Sequence, residues 1–403
     1  MTGTKPALFG GNPEREDRRQ MKIVTAIDSM KGSLSSRQAS EAAAEGIWRA
    51  DSDAEVVACP VADGGEGTVE AMTEAMSGSF RTIQVTGPLG DPVECTYGVI
   101  PGKRTAIIEM AGAAGLPLVP KNRRNPLETT TYGVGEVIRD AVACGLRKLI
   151  IGIGGSATND GGAGMLQALG YELLDGEGRP IPRKGSGLAC LRQIRTENRI
   201  PQLGECQFLV ACDVTNPLCG PSGCSAVYGP QKGADFRIIE EMDGWLRQFA
   251  RLAGQTLPNA DADAPGAGAA GGLGFAFASF LGASLEPGIS IVLRETGMEE
   301  QIRTADLVIT GEGRLDGQTS MGKTPVGVAR LAKKYGKPVI ALGGSVLPEA
   351  RACHQEGIDA MFPILQGPMT LEEAMEPGRA RENLAAAAEQ VYRLWRVGRQ
   401  ERP

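Results

Sequence analysis

Four loops in this chain combine acid with glycine or a tight turn, and at least three of them follow short apolar runs. They are residues 62–68 (ADGGEGT), 154–162 (GGSATNDGG), 213–218 (DVTNPL) and 311–318 (GEGRLDGQ). A strand that ends in such a loop and passes into a helix is the unit of a parallel α/β sheet. Glycine lets backbone N–H groups come close to an anion, and a carboxylate beside the turn can hold Mg²⁺. Repeated at several strand ends, the pattern suggests one cleft that handles phosphate and metal.

The βα rhythm is clearest at the two ends of the chain. Residues 22–27 read as a strand, Ser35 and Gln38 fit a capping box, and a helix runs on to Arg49. A second strand ends at the Asp63 loop, and residues 68–76 read as helix. From about Arg81 the pattern is richer in strands with Gly-Pro turns. After about Arg294 the alternation returns, and residues 372–397 form a terminal helical region. The fold class expected is α/β. One parallel-sheet domain, residues 21–80 and 295–398, is built from both chain ends, and a second α/β domain, residues 81–294, is inserted in it.

Length and charge bound the function. At 403 residues the chain exceeds one ordinary core. Net charge is −6, which argues against nucleic acid or an anionic membrane as partner. No run reaches the ~20 apolar residues of a membrane span. Residues 1–20 lack the apolar core of a secretory signal and read as a disordered extension. Nine cysteines without a C-x-x-C pair read as reduced thiols of a cytoplasmic protein, with no zinc site among them. His354 is the only histidine. That removes Ser-His-Asp hydrolysis and His-based zinc sites unless one residue does everything. Base work therefore falls to Asp or Glu, which suits phosphoryl transfer to a hydroxyl.

Ligands of open α/β sheets bind beyond the carboxyl ends of the strands. This rule puts Lys31, Asp63, Glu66, Glu312 and Asp316 on one edge of the first sheet. It puts Asn159, Asp160 and Asp213 at strand ends of the second. Closure between the two would bury a polar site. Residues 317–324 (GQTSMGKT) match the P-loop pattern letter for letter. A true P-loop follows its strand directly. Here the strand is read to end near Thr310, with a polar stretch between, so Lys323 and the helix start are expected to meet phosphate outside a P-loop fold. The loose dinucleotide fingerprints at residues 152–157 and 266–271 each lack the clean strand–turn–helix setting.

Taken together, these segments resemble the type I glycerate kinase family. The residues that carry the resemblance are 28–33 (DSMKGS), 62–68, 86–90 (TGPLG), 125–127 (NPL) with 129–133 (TTTYG), and 152–164. They continue through 211–214 (ACDV) with 216–218, 229–234 (GPQKGA), 268–274, and 311–318 with Gly322 and Lys323. The match runs from about Met21 to the terminal helix. Ile27 and Met30 stand where that family usually shows Pro and Phe, and both keep the Lys-Gly-Ser turn. The resemblance implies a flavodoxin-like domain interrupted by a second α/β domain. It implies ATP-dependent phosphorylation of D-glycerate with Mg²⁺, the 2-phosphate being the preferred product.

On this reading Asp213 is metal ligand or base, with Asp160 or Asp63 as the competing choice, and Lys31 joins the catalytic set. Lys31 and Lys232 contact phosphate or carboxylate, and Arg314 clamps the glycerate carboxylate. Ser33, Gly154, Gly155, Ser156, Asn159 and Lys323 complete the binding set, and Asp63, Asp213 and Asp316 are the metal candidates. Partners are the small molecules ATP and D-glycerate, with a homodimer left open. A kinase for another small hydroxy acid, an NAD-dependent dehydrogenase and a non-catalytic anion-binding protein are the alternatives.

Overall fold

The computed structural model describes residues 20–400, so the extension expected over residues 1–20 lies, apart from Gln20, outside the described residues. In chain order the strands are β1 (Lys22–Ile27), β2 (Glu55–Ala58), β3 (Ser79–Thr86), β4 (Pro92–Ile100), β5 (Thr105–Glu109), β6 (Lys148–Gly152) and β7 (Glu172–Leu174). They continue as β8 (Gln193–Arg195), β9 (Gln207–Ala211), β10 (Ser284–Glu286), β11 (Leu307–Leu315), β12 (Val339–Val346) and β13 (Ala360–Pro363).

The first sheet has the order β13-β12-β11-β1-β2 and is parallel throughout. With its own strands numbered along the chain, this is the 2-1-3-4-5 order of flavodoxin-like folds, whose switch point lies between the first and third strands. Strand β1 shows why the sheet is buried on both faces. Ile23 and Ile27 point into one core, shared with the helices Ser36–Ala50 and Pro377–Gln400. Val24 and Ala26 point into the other, shared with Thr324–Lys334 and Met298–Thr304. The period of two along the strand thus feeds two helical layers. Ser35 caps the first helix through the reciprocal bonds with Gln38 that its spacing suggests.

The second sheet has the order β10-β9-β6-β5-β4-β3, parallel from β10 to β5 and antiparallel beyond. Its main core lies under the helices Tyr132–Ala143, Ala163–Ala168, Phe236–Thr256 and Ala269–Leu281. Its other face holds Ile107, Ile150 and Leu209 against Val69 and Met72 of the helix Thr68–Ala75 and Ile291 and Val292 of Gly288–Glu295. The helix that follows the Asp63 loop therefore packs on the second sheet, although β1 and β2 before it belong to the first. Glu109 at the end of β5 accepts the Val69 N–H at 2.7 Å and caps this helix.

The chain crosses between the sheets at a seam of backbone on backbone. Gly64 has φ +90°, and a Cβ there would stand 2.3 Å from Cβ of Ala211. A Cβ on Gly288 would stand 1.8 Å from the carbonyl oxygen of Asp63. Only glycine fits either place, and the outgoing and returning segments touch because of it.

Candidate functional site

Two cavities open from this seam. The first, about 680 Å³, lies beyond the carboxyl ends of β1 and β11, at the switch point of the first sheet. Asp28, Ser29, Lys31 and Ser33 reach it from the loop after β1, and Glu312, Arg314, Asp316 and Lys323 from β11 and the turn after it. The second, about 650 Å³, lies beyond β6 and β9 and is lined by Gly154, Gly155, Ser156, Asp213 and Lys232. Lys31 and Asp63 line both. Of the residues expected at the two sheet edges, Lys31, Asp63, Glu66, Glu312, Asp316 and Asp213 line these cavities, and Asn159 and Asp160 do not.

Asp63 is the electrostatic centre of the acids in this cleft. Its charge raises the proton affinity of Asp28, Asp213 and Glu312. Asp28, absent from the sequence-derived set, is the most perturbed of them. Burial first, and Asp63 second, push its carboxyl up to about 7. The hydroxyl of Thr324 donates to its Oδ2 at 2.7 Å and the Ser29 N–H to its Oδ1 at 2.6 Å, and both oppose the rise. Asp213 opens to the cavity, yet the walls around it exclude enough water to lift its carboxyl to about 6. The Gly288 N–H, 3.0 Å from its Oδ1, works against that shift. Burial also raises Glu312, which accepts the Thr319 hydroxyl at 2.6 Å. Lys323 is the cation that counters both Asp213 and Glu312.

The floor of the second cavity holds a buried ammonium. Lys232 is 2% exposed, and its Nζ donates to Ser156 Oγ at 2.8 Å and to the Thr158 carbonyl at 2.6 Å. Burial lowers it to about 8. Among the described residues no carboxylate stands within ion-pair distance of it. A buried cation that no carboxylate bonds, facing a cavity, is suited to a small anion.

Asp160 and Asn159 are placed differently from the sequence expectation. Asp160 is fully buried beneath the loop. Its Oδ2 accepts from Thr131 N, Thr131 Oγ1 and Gly164 N, and its Oδ1 from Gly162 N. Those bonds organise the 154–164 segment and leave Asp160 outside both cavity linings. Asn159, also fully buried, donates to Ser225 Oγ at 2.8 Å. Both are held inside the fold by these bonds.

Arg314, the expected clamp for the substrate carboxylate, lines the first cavity, with its Nε 3.0 Å from Asp316 Oδ2. Asp316 is further held by the Gln318 N–H. Strand β11 does not end near Thr310 but runs to Leu315. The P-loop match then falls on a 3-10 turn, Thr319–Met321, and on the start of the helix Thr324–Lys334, with Lys323 as its N-cap. Among the described residues no group of three or more His, Cys, Asp or Glu is poised to hold a metal. No helix there is long and apolar enough to cross a membrane.

Comparisons with known proteins identify the family. The model of the glycerate kinase family matches residues 23–396. The glycerate 2-kinase of Escherichia coli is 50% identical over 371 residues, covering 91% of this chain and 97% of that protein. A glycerate kinase of Halalkalibacterium halodurans is 48% identical, covering 93% and 98%. A crystal structure described as a glycerate kinase 2 from Salmonella typhimurium superposes with a TM-score of 0.87 at 47% identity, covering 95% of this chain and all of that one. The dehydrogenase and anion-binding readings find no support here. With the flavodoxin-order sheet, the inserted second sheet and the acid-lined cleft between them, the chain belongs to the glycerate kinase family.

Proposed function

We propose that this protein transfers the γ-phosphoryl group of ATP to the C2 hydroxyl of D-glycerate, giving 2-phosphoglycerate and ADP in the cytoplasm. The observation that carries this reading is the pair of cavities joined at Lys31 and Asp63, with an acid and a buried ammonium in one of them. The choice of C2 is supported by the name of the E. coli relative.

Lys232, with the backbone of Gly154, Gly155 and Ser156, takes the glycerate carboxylate and orients its hydroxyl toward Asp213. Asp213 takes the hydroxyl proton, a role suited to a carboxyl lifted to about 6. The hydroxyl oxygen forms its bond to the γ-phosphorus as the bond from that phosphorus to the β–γ bridging oxygen breaks. The bond pair leaves with ADP. Lys31, present in both cavities, neutralises the charge that spreads over the phosphoryl oxygens in transit.

Mg²⁺ fits the cleft through Asp28 and Asp63, whose mutual repulsion a divalent cation would relieve. Bound there with the nucleotide, it would supply charge neutralisation of the phosphates, for which one or two carboxylates suffice. Asp316 belongs to this ligand set less well, since Arg314 and the Gln318 N–H already engage it. The division into residues 21–80 with 295–398 and an inserted 81–294 belongs to the same reading. It is supported by the membership of the two sheets, with the helix Thr68–Ala75 at the seam. A homodimer is compatible with it, and sedimentation measures that directly.

The test is ADP release with ATP, Mg²⁺ and D-glycerate, followed by phosphorus NMR of the product. Glycerate-dependent release with 2-phosphate coupling is the expected result. No release from folded protein would refute glycerate as acceptor, and 3-phosphate coupling would refute the regiochemistry.

A further inference from the structure

The kinase reading leaves open which cavity takes the nucleotide, and volume does not decide, since the two are nearly equal. Their linings do. The first cavity is bounded on one side by Met30, Ile364, Leu365, Met369, Leu371 and Met375. Leu371 is 75% exposed, and Leu365 and Met375 are 37% and 36% exposed. These side chains form an apolar wall around open space, a costly arrangement for a surface that nothing covers. Three of the six are methionines, flexible thioethers that pack well on aromatic faces. No methionine lines the second cavity.

The wall is held in place. Thr370 and Glu373 form a capping box at the head of the helix Leu371–Met375. Leu371 and Met375, four residues apart, therefore share a face. The Met375 methyl rests over Gly32, where a Cβ would meet it at 2.9 Å. That contact joins the helix to the Lys31 loop. The same lining brings three cations, Lys31, Arg314 and Lys323, beside the carboxylates of Asp28, Asp63, Glu312 and Asp316. Two hydroxyls of the same lining, Ser29 Oγ and Ser33 Oγ, are buried and have no hydrogen-bond partner. Unpaired buried hydroxyls are rare, and each is free to bond a water, an ion or a ligand. The second cavity has apolar groups of its own, among them Leu116, Ile153, Val214 and Tyr228, but no methionine.

We propose that the first cavity is the nucleotide site, resting on the kinase reading above. The adenine lies against the wall of Met369, Leu371 and Met375. The phosphates run over Ser29, Ser33 and Lys323 toward Lys31, where the γ-phosphoryl group meets the acid substrate in the second cavity. A position beyond β1 and β11 also puts the nucleotide at the switch point of the first sheet.

The experiment is calorimetric binding of ADP to the full chain, paired with steady-state KM values for ATP and D-glycerate. Met375→Glu places a charge in the wall. It should weaken ADP binding and raise KM for ATP by about tenfold or more, with KM for D-glycerate held within about twofold. Met375→Leu keeps the wall apolar and should stay within about threefold of the parent for ADP. Lys232→Met should do the reverse of Met375→Glu, raising KM for D-glycerate and leaving ADP affinity in place. Unchanged ADP affinity in a folded Met375→Glu protein would overturn the site assignment while the kinase reading stands. ADP loss on Lys232→Met alone would place the nucleotide in the other cavity. ADP binding that Met375→Glu abolishes, in a protein that ignores D-glycerate, would keep the site and remove the acceptor. A parent protein that binds no ADP would overturn both.

Discussion

Replacing Asp28 by Asn should make the protein more stable and less active. In the folded state the carboxyl titrates near 7, against 3.8 for an unperturbed Asp. The folded chain keeps a proton that the unfolded chain releases between those values. Stability is therefore lost as pH rises through that window. The cost is about 2 kcal/mol at pH 5 and about 4 kcal/mol at pH 8. Asn removes the charge and keeps both bonds, since its oxygen accepts the Ser29 N–H and its amide donates to the Thr324 hydroxyl. Urea unfolding followed by circular dichroism, in buffer with EDTA, measures the difference. Asp28→Asn should gain about 2–4 kcal/mol over the parent at pH 8, and about 2–3 kcal/mol less than that at pH 5. Mg²⁺ should narrow the gap at pH 8, and turnover should fall. A gain of equal size at both pH values, or a loss at pH 8, would refute the argument that burial and Asp63 set this group.

Three further outcomes are expected. Asp213→Asn should lower kcat by about 10²–10⁴-fold with little change in KM, and the acid limb of kcat/KM near pH 6 should vanish with it; a surviving limb would move the base elsewhere. Asp160→Ala should cost about 3 kcal/mol or more, because the donors from Thr131, Gly162 and Gly164 lose their buried acceptor; a thermal melt within a degree of the parent would contradict this. Gly64→Ala should destabilise by about 1–3 kcal/mol, through the positive φ and the collision with Ala211; equal denaturation midpoints would show that the seam yields.

Local signals in the chain carried most of the fold. The Ser35–Gln38 capping box is where its spacing suggests, because capping depends on four adjacent residues. The apolar runs at Lys22–Ile27, Lys148–Gly152 and Gln207–Ala211 are strands for the same local reason. The glycines at residues 311–315 serve strand pairing rather than a turn. A Cβ at Gly311 would lie 2.0 Å from the Leu342 carbonyl, so the residue lets two paired strands approach closely. The roles of the acids were the least legible. Asp28 is defined by Thr324, 296 residues away, and by burial that no neighbour in sequence announces. Asp160 sits in a glycine-rich loop as Asp63 does, and only its four donors distinguish a buried support from a cavity acid.

The strand order also bears on how the protein is made. Ile23 of β1 pairs with Leu307 of β11, so the middle of the first sheet joins residues separated by most of the chain. At about 5–20 residues per second, a ribosome needs roughly 15–60 s to synthesise the segment between them. Throughout that interval β1 and β2 have emerged with one long edge unpaired. The strands of the second sheet all come from residues 79–286, so every one of its partners is available before β11 is made. The glycine seam at Gly64 and Gly288 can then form as the second sheet closes, bringing the returning chain back beside the waiting pair. The cleft is thus incomplete until the final third of the chain adds β11, β12 and β13 to the first sheet.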